Sequence, residues 1–410
     1  MPNQLVSVLR VFGGKRLADE KFLVVGGGIG GLVTALSLAR YGIGSHVVEQ
    51  AEAFGEIGAG LQLAPNASRI LNWLGVLDRV MEDAFFPKRL MLMDAMNGNE
   101  LTALPVGPSF VQRYGFPYFV THRADLHSAL FEACEKEPLI KLSAGKHVVG
   151  IEDQGEQIAV SFSDGTVAST NALIGADGIN STIRRHLIDD GEPVATGFVA
   201  YRGTVSVDAV KQAMGTDELS DMVIWIGPGL HLVQYPVRRG ELCNQVAVFH
   251  SANFEAGAKE WGTPEELDAT FAQTCAHVAN SAKLMNRERR WTMFDRPPHA
   301  GWSQGNVTLV GDAAHPMFQY LAQGACQAME DAVVLAKALA NNSDARKAFV
   351  DYEQERFPRA SMVQIRARLF GEFLHIGGTM AAMRNYLLEK RQDEDFSDVD
   401  WLYAYSAIGD

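Results

Sequence analysis

The chain has little cysteine, and its cysteines show no pattern that would hold a metal or a disulfide framework. Cys134, Cys243, Cys275 and Cys326 stand far apart, and no two of them have the C-x-x-C spacing. Zinc sites depend on such spacings, and small secreted domains depend on dense cysteine pairs. The sequence therefore predicts no metal site and favours a cytoplasmic location, where thiols stay reduced.

Long apolar runs and clusters of positive charge are also missing. No apolar stretch approaches the roughly 20 residues that cross a bilayer. The apolar part of the leader, residues 5–12, is interrupted by Arg10 and lacks a small-residue cleavage site, which argues against a signal peptide. The formal net charge is −13, and no five basic residues are consecutive, whereas nucleic-acid binding relies on clustered Lys and Arg. We expect no membrane span, no nucleic-acid partner and, for residues 1–20, an extension without function.

What is present indicates an ordinary globular protein with room for two packed units. The chain has 410 residues, of which 47% are hydrophobic and 21% charged. An apolar run at residues 22–25, apolar residues at helical spacing after it and a second run at 46–48 predict a β-α-β unit. Helices are predicted at residues 67–83, 264–285 and 322–340. Short strands are predicted at residues 147–151, 157–162, 172–174, 221–226, 230–237, 242–249 and 307–310.

The first chemical motif is a glycine cluster between the first strand and its helix. The letters Gly26-Gly27-Gly28-Ile29-Gly30-Gly31 contain the pattern G-x-G-x-x-G. Gly26 permits a tight turn, Gly28 lets a pyrophosphate approach the backbone, and Gly31 lets the helix pack closely. Glu49 ends the second strand about 20 residues later, where a carboxylate can accept from ribose hydroxyls. A glycine turn without a ligand would give a similar pattern, but strand, helix and acidic residue together predict dinucleotide binding, by NAD or by FAD.

A second motif follows the strand at residues 307–310. Gly311 and Asp312 begin the stretch 311–316, ahead of a predicted helix. A carboxylate at this strand end can grip a polyol such as the ribityl chain of FAD, and the helix N-terminus would favour the anionic edge of reduced flavin. The alternative is that Asp312 is a helix cap or a turn aspartate.

A third motif lies between these two, at another strand-to-helix junction. Asp177 and Gly178 are followed at helical spacing by Ser181 and Arg184. An Asp-Gly turn explains the dipeptide alone but not the whole string.

The three motifs, in this order, resemble those of the class A flavoprotein aromatic hydroxylases, whose archetype is para-hydroxybenzoate hydroxylase. The resemblance spans about residues 22–370. Within that family, the chain is similar to the 3-hydroxybenzoate 6-hydroxylases in residues 56–62, 118–127, 200–203, 226–228, 234–236, 244–249, 319–322 and 400–402. The resemblance implies tightly bound FAD, transient NADH or NADPH without a second dinucleotide fold, and O2 as co-substrate. The presence of a single G-x-G-x-x-G agrees with this.

The resemblance also implies the residues of the site. It gives His231, Tyr235 and Gln319 as catalytic residues at the substrate, with Tyr118 near the ring. The residues that it implies for the cofactor are Gly26, Gly28, Gly31, Glu49, Arg123, Asp177, Gly311, Asp312, Gly324 and Ala325. Phe294 departs from the family, where we expect tyrosine, and the effect of the lost hydroxyl on the substrate pocket stays open.

Strand geometry supports part of this assignment independently. Side chains alternate along a strand, so His231, Val233 and Tyr235 on the predicted strand 230–237 share one face. A core histidine and an ordinary sheet tyrosine are the alternative. We interpret His315, His122 and His127 as structural, and Cys326 as a small helix-packing residue near the flavin.

The expected fold is α/β, with a G-x-G-x-x-G FAD-binding domain, an inserted antiparallel-sheet substrate domain and a helical C-terminal tail. The predicted boundaries are 21–75, 105–190 and 300–365 for the first, 76–104 and 191–299 for the second, and 366–410 for the tail.

The expected reaction, implied by the resemblance, is the para-hydroxylation of 3-hydroxybenzoate to gentisate by NAD(P)H and O2 through a flavin C4a-hydroperoxide. His231, whose ordinary pKa is near ~6.5, would accept the phenol proton. The alternatives are a salicylate hydroxylase or another phenolic or N-heteroaromatic acid hydroxylase of the class, an oxygen-avoiding flavin dehydrogenase, and a non-catalytic nucleotide-sensing protein. A small aromatic acid is the expected partner, and the oligomeric state is open, with a homodimer as one option.

Overall fold

The computed structural model describes residues 20–55, 59–215 and 219–409. The predicted N-terminal extension lies outside the described residues except for its last one, as do residues 56–58 of the similar segment 56–62. The strands of the described chain, in order, are β1 Glu20–Val25, β2 Ser45–Val48, β3 Gly60–Leu63, β4 Arg89–Asp94, β5 Glu100–Pro105, β6 Phe119–His122, β7 Ile140–Ser143, β8 Val148–Asp153, β9 Ile158–Phe162, β10 Val167–Gly175, β11 Val194–Ser206, β12 Met222–Gly227, β13 Leu230–Val237, β14 Leu242–His250, β15 Trp291–Asp295, β16 Ser303–Gln304 and β17 Val307–Leu309.

The helices follow the same numbering. In chain order they are α1 Ile29–Arg40, α2 Pro65–Leu74, α3 Leu77–Met81, α4 Pro108–Tyr114, α5 Arg123–Lys136, α6 Thr182–Leu187, α7 Val207–Met214, α8 Ala252–Glu255, α9 Pro264–Phe271, α10 Ala276–Ala282, α11 Gly324–Asn341, α12 Ala345–His375, α13 Gly378–Glu389 and α14 Ser397–Tyr403. In the part of the chain that is described, no helix has the length and apolar character needed to cross a membrane.

The first sheet contains the predicted β-α-β unit, which is confirmed. Its strand order is β16-β17-β10-β1-β2-β7, with β8 and β9 attached beside β10. The pairs β1·β2, β1·β10, β10·β17 and β2·β7 are parallel, so their carboxyl ends meet at one edge. Helix α1 buries Leu32, Val33 and Leu36 against this sheet and packs beside α11. This edge is where open α/β sheets bind ligands.

The second sheet is separate and has the order β15-β11-β14-β13-β12-β4-β5. Its pairs are antiparallel apart from β4·β12, which is parallel. The predicted antiparallel sheet is therefore confirmed with one exception, because β4 and β5 join it from a distant part of the chain. All strands of this sheet fall within the predicted segments 76–104 and 191–299 apart from Pro105.

Two predicted helices are each divided in two. The predicted helix 67–83 is α2 and α3, separated by Gly75, whose φ of 77° ends the first helix in the left-handed region. The predicted helix 264–285 is α9 and α10. The third helix begins at Gly324 rather than at Ala322, because Ala322 has a φ of 52°.

The C-terminal region is helical, as predicted, but it does not begin where the sequence suggested. Helix α12 runs for 31 residues, Ala345–His375, across the predicted boundary between residues 365 and 366. Helices α13 and α14 follow. Asp400 of α14 accepts from Arg113 and Tyr114 and so anchors α14 to α4.

Candidate active site

One cavity of about 850 Å³ runs from the carboxyl edge of the first sheet to one face of the second. It lies near the upper end of the range for small-molecule sites, roughly 300–1,000 Å³. It is lined by these residues of the predicted site: Gly26, Gly28, Glu49, Arg123, Asp177, His231, Tyr235, Gly311, Asp312, Gln319, Gly324 and Ala325. The structure thus brings together residues that lie almost 300 positions apart (Gly26 and Ala325), and their individual roles stay predictions.

The glycine cluster forms a bare backbone surface at one end of the cavity. Gly26 has a φ of 113°, and a Cβ there would overlap the carbonyl of Ala176. Gly28 caps α1 and its carbonyl accepts from the N–H of Leu32. A Cβ on Gly31 would overlap the carbonyl of Gly26, so this glycine serves packing and does not line the cavity. The helix N-terminus is left open to a phosphate group.

Glu49 stands directly after β2 and faces the same cavity. Its two carboxylate oxygens accept from the N–H groups of Gly27 and Ala51, at 2.7 and 2.8 Å. The carboxylate therefore holds the glycine loop as well as offering lone pairs to the cavity, where a ribose hydroxyl could donate.

The loop that follows β17, residues 311–316, is held from beneath by α11. Gly311 has a φ of 61°, and its N–H donates to Oδ2 of Asp331 at 2.9 Å. Nε2 of His315 lies 2.5 Å from the same oxygen, and Nε of Arg356 donates to Oδ1 at 2.7 Å. Burial alone would raise the pKa of Asp331, but His315 and Arg356 lower it to about 2. The buried carboxylate stays ionised, and the prediction that His315 is structural is confirmed.

The third motif is connected to this loop. Asp177 accepts from Ser181 and from the N–H groups of Thr182 and Ile183, so it caps α6. Burial raises the pKa of Asp177 although these bonds oppose the shift. Arg184, which is buried, donates from Nη1 to the carbonyls of Ala313 and Ala314 at 2.9 and 2.6 Å. Arg184 belongs to the third motif but was not among the predicted site residues.

The wall at the other end of the cavity is a face of the second sheet. His231, Val233 and Tyr235 of β13 all line the cavity, as strand alternation predicts. The strand register aligns Val233 with Ile224 on β12 and with Val246 on β14, which in turn aligns with Arg202 on β11. These four residues form a row of three apolar side chains that ends in a guanidinium group, and all four line the cavity.

Arg202 was quoted in a similar segment but was not named as a site residue. Its guanidinium lies over the ring of Trp291, with 4.6 Å to the ring centroid. The register of two strand pairs, β11·β14 and β14·β13, connects it with His231 and Tyr235, and sequence alone does not give that register.

Tyr118 does not line the cavity but lies behind Gln62, which does. The Tyr118 hydroxyl donates to Oε1 of Gln62 at 2.5 Å. Tyr235 also bonds to Gln62, while burial raises the pKa of Tyr235. Gly60 lies against the Tyr235 ring, because a Cβ on Gly60 would overlap that ring. The Gly60 N–H donates to Oδ1 of Asn244 at 2.7 Å. Gln62 is thus a cavity residue that sequence analysis did not assign.

His231 has a second histidine as its partner. Its Nδ1 lies 2.7 Å from Nε2 of His375, the last residue of α12. Burial lowers the pKa of His231 well below its ordinary value, and the neighbouring His375 lowers it further. No sequence motif marks His375, which is 144 positions away.

Gln319, Gly324 and Ala325 come from one short connection. A 3₁₀ turn spans Gln319–Leu321, and Ala322 follows in the left-handed region before α11 begins. Arg123 comes from elsewhere, as the first residue of α5. Arg123, Gln319, Gly324 and Ala325 all line the cavity between the glycine cluster and the second sheet.

Phe294, whose effect on the pocket the sequence left open, does not line the cavity. It lies on β15 with 45% of its surface exposed.

The remaining candidates are structural, as expected. Nε2 of His127 lies 2.7 Å from the carbonyl of Gly27, and His122 caps α5. Cys326 is buried in α11, where burial raises its pKa to about 12, so it is no nucleophile.

These features fit FAD. The glycine cluster and the start of α1 can hold a pyrophosphate, and Glu49 and Asp312 offer acceptors for sugar and polyol hydroxyls. The side chain missing at Gly26 leaves the backbone accessible. The cavity continues beyond this cradle to His231 and Tyr235, which leaves room for a ring substrate.

Comparison with known proteins agrees with this geometry. A family model described as FAD binding domain matches residues 19–367. The 3-hydroxybenzoate 6-hydroxylase of Polaromonas naphthalenivorans (strain CJ2) is 39% identical over 391 residues, which cover 95% of this chain and 97% of that protein. The enzyme of the same name from Klebsiella oxytoca is 39% identical over 385 residues, covering 93% and 96%. Among solved structures, Klebsiella pneumoniae HpxO complexed with FAD and uric acid superposes with a TM-score of 0.80 at 27% identity, covering 93% and 96%.

Proposed function

The chain belongs to the FAD-binding domain family, and we propose that it is an NAD(P)H-dependent monooxygenase that converts 3-hydroxybenzoate into gentisate. The observation that carries the proposal is the continuous cavity that joins a dinucleotide cradle to a wall with a histidine, a tyrosine and an arginine. The names of the relatives that are 39% identical support the choice of substrate.

FAD is held by the backbone of the glycine cluster together with the carboxylates of Glu49 and Asp312. The chemistry that bound FAD supplies is transfer of two electrons from a nicotinamide nucleotide to O2 and delivery of one oxygen atom to an electron-rich ring. The buried contacts of Asp331 and the Arg184 bonds hold the 311–316 loop, which carries Asp312. Groups that are held in place in this way need little reorganisation during a reaction.

The substrate ring is bound against the second sheet. Ile224, Val233 and Val246 supply an apolar surface that excludes water, and Arg202 at the end of their row offers a positive charge to the carboxylate. His231 withdraws the phenol proton, which makes the ring more nucleophilic at the carbon para to the hydroxyl. Tyr235 and Gln319 orient the ring by hydrogen bonds.

A substrate panel tests this function against its rivals. We expect 3-hydroxybenzoate, and not the 2- or 4-isomer, to stimulate the consumption of NADH or NADPH and of O2 with little release of peroxide. A salicylate hydroxylase would respond to the 2-isomer and release CO2, and a dehydrogenase would reduce a dye without consuming O2. A protein that only senses nucleotides would show no substrate-dependent turnover.

We also propose that the protein is a cytoplasmic homodimer. All four cysteines are free thiols, which suits the cytoplasm. Met380, Met383 and Leu387 lie on one face of α13 with 56–63% of their surface exposed, which is an apolar face that a second copy would cover. Light scattering of the wild type and of Met383→Glu measures this: we expect a dimer mass that falls in the variant.

A further inference from the structure

We propose that His231 and His375 form a proton relay that carries the substrate's phenol proton out of the cavity through the protein wall. The relay rests on the proposed function and adds a second residue to it. It names His375, which lies beyond the 19–367 family match, as the exit for the proton that His231 withdraws.

The two imidazoles form a short, directed path. His231 lines the cavity, whereas His375 does not and is partly exposed. Since Nδ1 of His231 lies 2.7 Å from Nε2 of His375, Nε2 is the nitrogen of His231 left for the substrate. Proton movement along this path is balanced. The phenol O–H gives its proton to Nε2 of His231, Nδ1–H gives its proton to Nε2 of His375, and Nδ1–H of His375 gives a proton to water. Both rings end neutral.

The surroundings of His231 and His375 disfavour a positive charge on either ring. His231 is almost completely buried, and burial lowers its pKa well below its ordinary value. Burial, followed by His250 and Arg384, also lowers the pKa of His375, to about 4. A histidine that took the proton and kept it would leave a charge in a poorly solvated wall. Passing the proton on at once avoids that cost.

Two aromatic rings fix the orientation of the His375 ring. Phe198 of β11 stacks on it with ring centroids 4.6 Å apart, and Tyr320 packs edge-on at 5.5 Å. His250, the last residue of β14, is paired with Phe198 across the two strands and packs edge-on to it, with ring centroids 4.8 Å apart. From α13, Arg384 donates to the carbonyls of Phe373 and Leu374, so its positive charge is held at the end of α12.

The relay can be separated from a purely positioning role by His375→Gln. A glutamine can still hydrogen-bond to Nδ1 of His231 and hold its ring, but it cannot pass a proton on. His375→Phe keeps an aromatic ring for Phe198 to stack on and removes both nitrogens. The matched control is His250→Gln, which makes the same substitution at a second histidine that packs on Phe198.

The test uses the oxidised holoenzyme with 3-hydroxybenzoate and no nicotinamide nucleotide, so no turnover occurs. After a rapid jump to higher pH, the absorbance of the bound phenolate is followed at several imidazole concentrations. We expect fast ionisation that is independent of imidazole in the wild type and in His250→Gln. In His375→Gln and His375→Phe we expect ionisation slower by a factor on the order of 10² and accelerated by added imidazole.

The other possible results overturn either the relay or the proposed function. Ionisation of His375→Gln at the wild-type rate, without an imidazole effect, would reduce His375 to a positioning residue and end the relay. The flavin content and the dissociation constant of 3-hydroxybenzoate, measured in the same samples, identify a variant whose fold is damaged, and His375→Phe then decides. Failure of the wild type to bind 3-hydroxybenzoate would instead overturn the proposed function.

Discussion

Asp331 receives hydrogen bonds from three groups around the 311–316 loop: the Gly311 N–H, His315 and Arg356. Removal of one partner of such a buried pair leaves an uncompensated charge, at a cost of about 3–5 kcal/mol. Asp331 does not itself line the cavity, but through Gly311 it holds the loop that carries Asp312. Asp331 therefore contributes to the site by positioning other residues.

Arg202 is the residue whose charge the substrate assignment depends on most. We expect Arg202→Gln to weaken binding of 3-hydroxybenzoate by roughly 10- to 100-fold, because a charge-assisted hydrogen bond contributes about 1.5–3 kcal/mol. The neutral analogue 3-hydroxybenzamide should lose much less affinity. Titration of the flavin absorbance with each compound measures both dissociation constants.

The matched control for Arg202 is Arg185→Gln. Arg185 also lines the cavity, but it belongs to α6 beside the first sheet. We expect its loss to leave the affinity for 3-hydroxybenzoate within about twofold of the wild type. An equal loss of affinity for the acid and the amide in Arg202→Gln would contradict a carboxylate contact.

Among the elements, α14 supports the cavity from a distance. Its buried residue Tyr403 packs against Phe110, Tyr114 and Tyr118, with ring centroids 5.9–6.2 Å apart. Tyr118 in turn bonds to Gln62 in the cavity wall. The last helix of the chain therefore fixes a side chain that Tyr235 also contacts.

Truncation of the Tyr403 side chain tests whether α14 supports the fold. We expect Tyr403→Ala to lower the free energy of unfolding by about 3–5 kcal/mol, the usual cost of emptying a buried aromatic position. Tyr403→Phe keeps the ring and should stay within about 1 kcal/mol of the wild type. Denaturant unfolding measures both variants. A Tyr403→Ala midpoint equal to that of the wild type would show that α14 gives no support.

The elements also show what sequence can and cannot predict. The glycine cluster, Glu49 and the alternation on β13 were predictable, because each depends on spacing within a few residues of chain. The break at Gly75 was missed because the apolar spacing continues across it. The parallel pairing of β4 with β12 was missed because a strand's neighbour is set by tertiary packing.

The same limit applies to the site. Gln62 and Arg202 stood in segments quoted for their resemblance, but their place in the cavity follows only from strand register. His375 had no local signal, because its contact with His231 joins the end of a helix to a strand 144 positions away. Contacts of this kind are a property of the folded chain and leave no periodic pattern in it.

On the scale of the whole molecule, two sheets with different tasks enclose one cavity. The first sheet presents backbone and carboxylates at one end of the cavity, and the second sheet presents the wall with His231, Tyr235 and Arg202. Helices α11 and α12 pack on each other and reach both ends of this cavity, through Gly324 and Leu374. The function depends on the two halves meeting, because either alone would bind only part of what the reaction needs.

Product analysis under isotopically labelled O2 shows whether the protein inserts oxygen into 3-hydroxybenzoate. The purified holoenzyme is supplied with 3-hydroxybenzoate and NADH, and the products are identified by mass spectrometry against authentic dihydroxybenzoates. We expect gentisate with one labelled oxygen atom, in near-equal amount to the NADH consumed. An unlabelled product, a product hydroxylated at another carbon, or peroxide as the main fate of the oxygen would contradict the account.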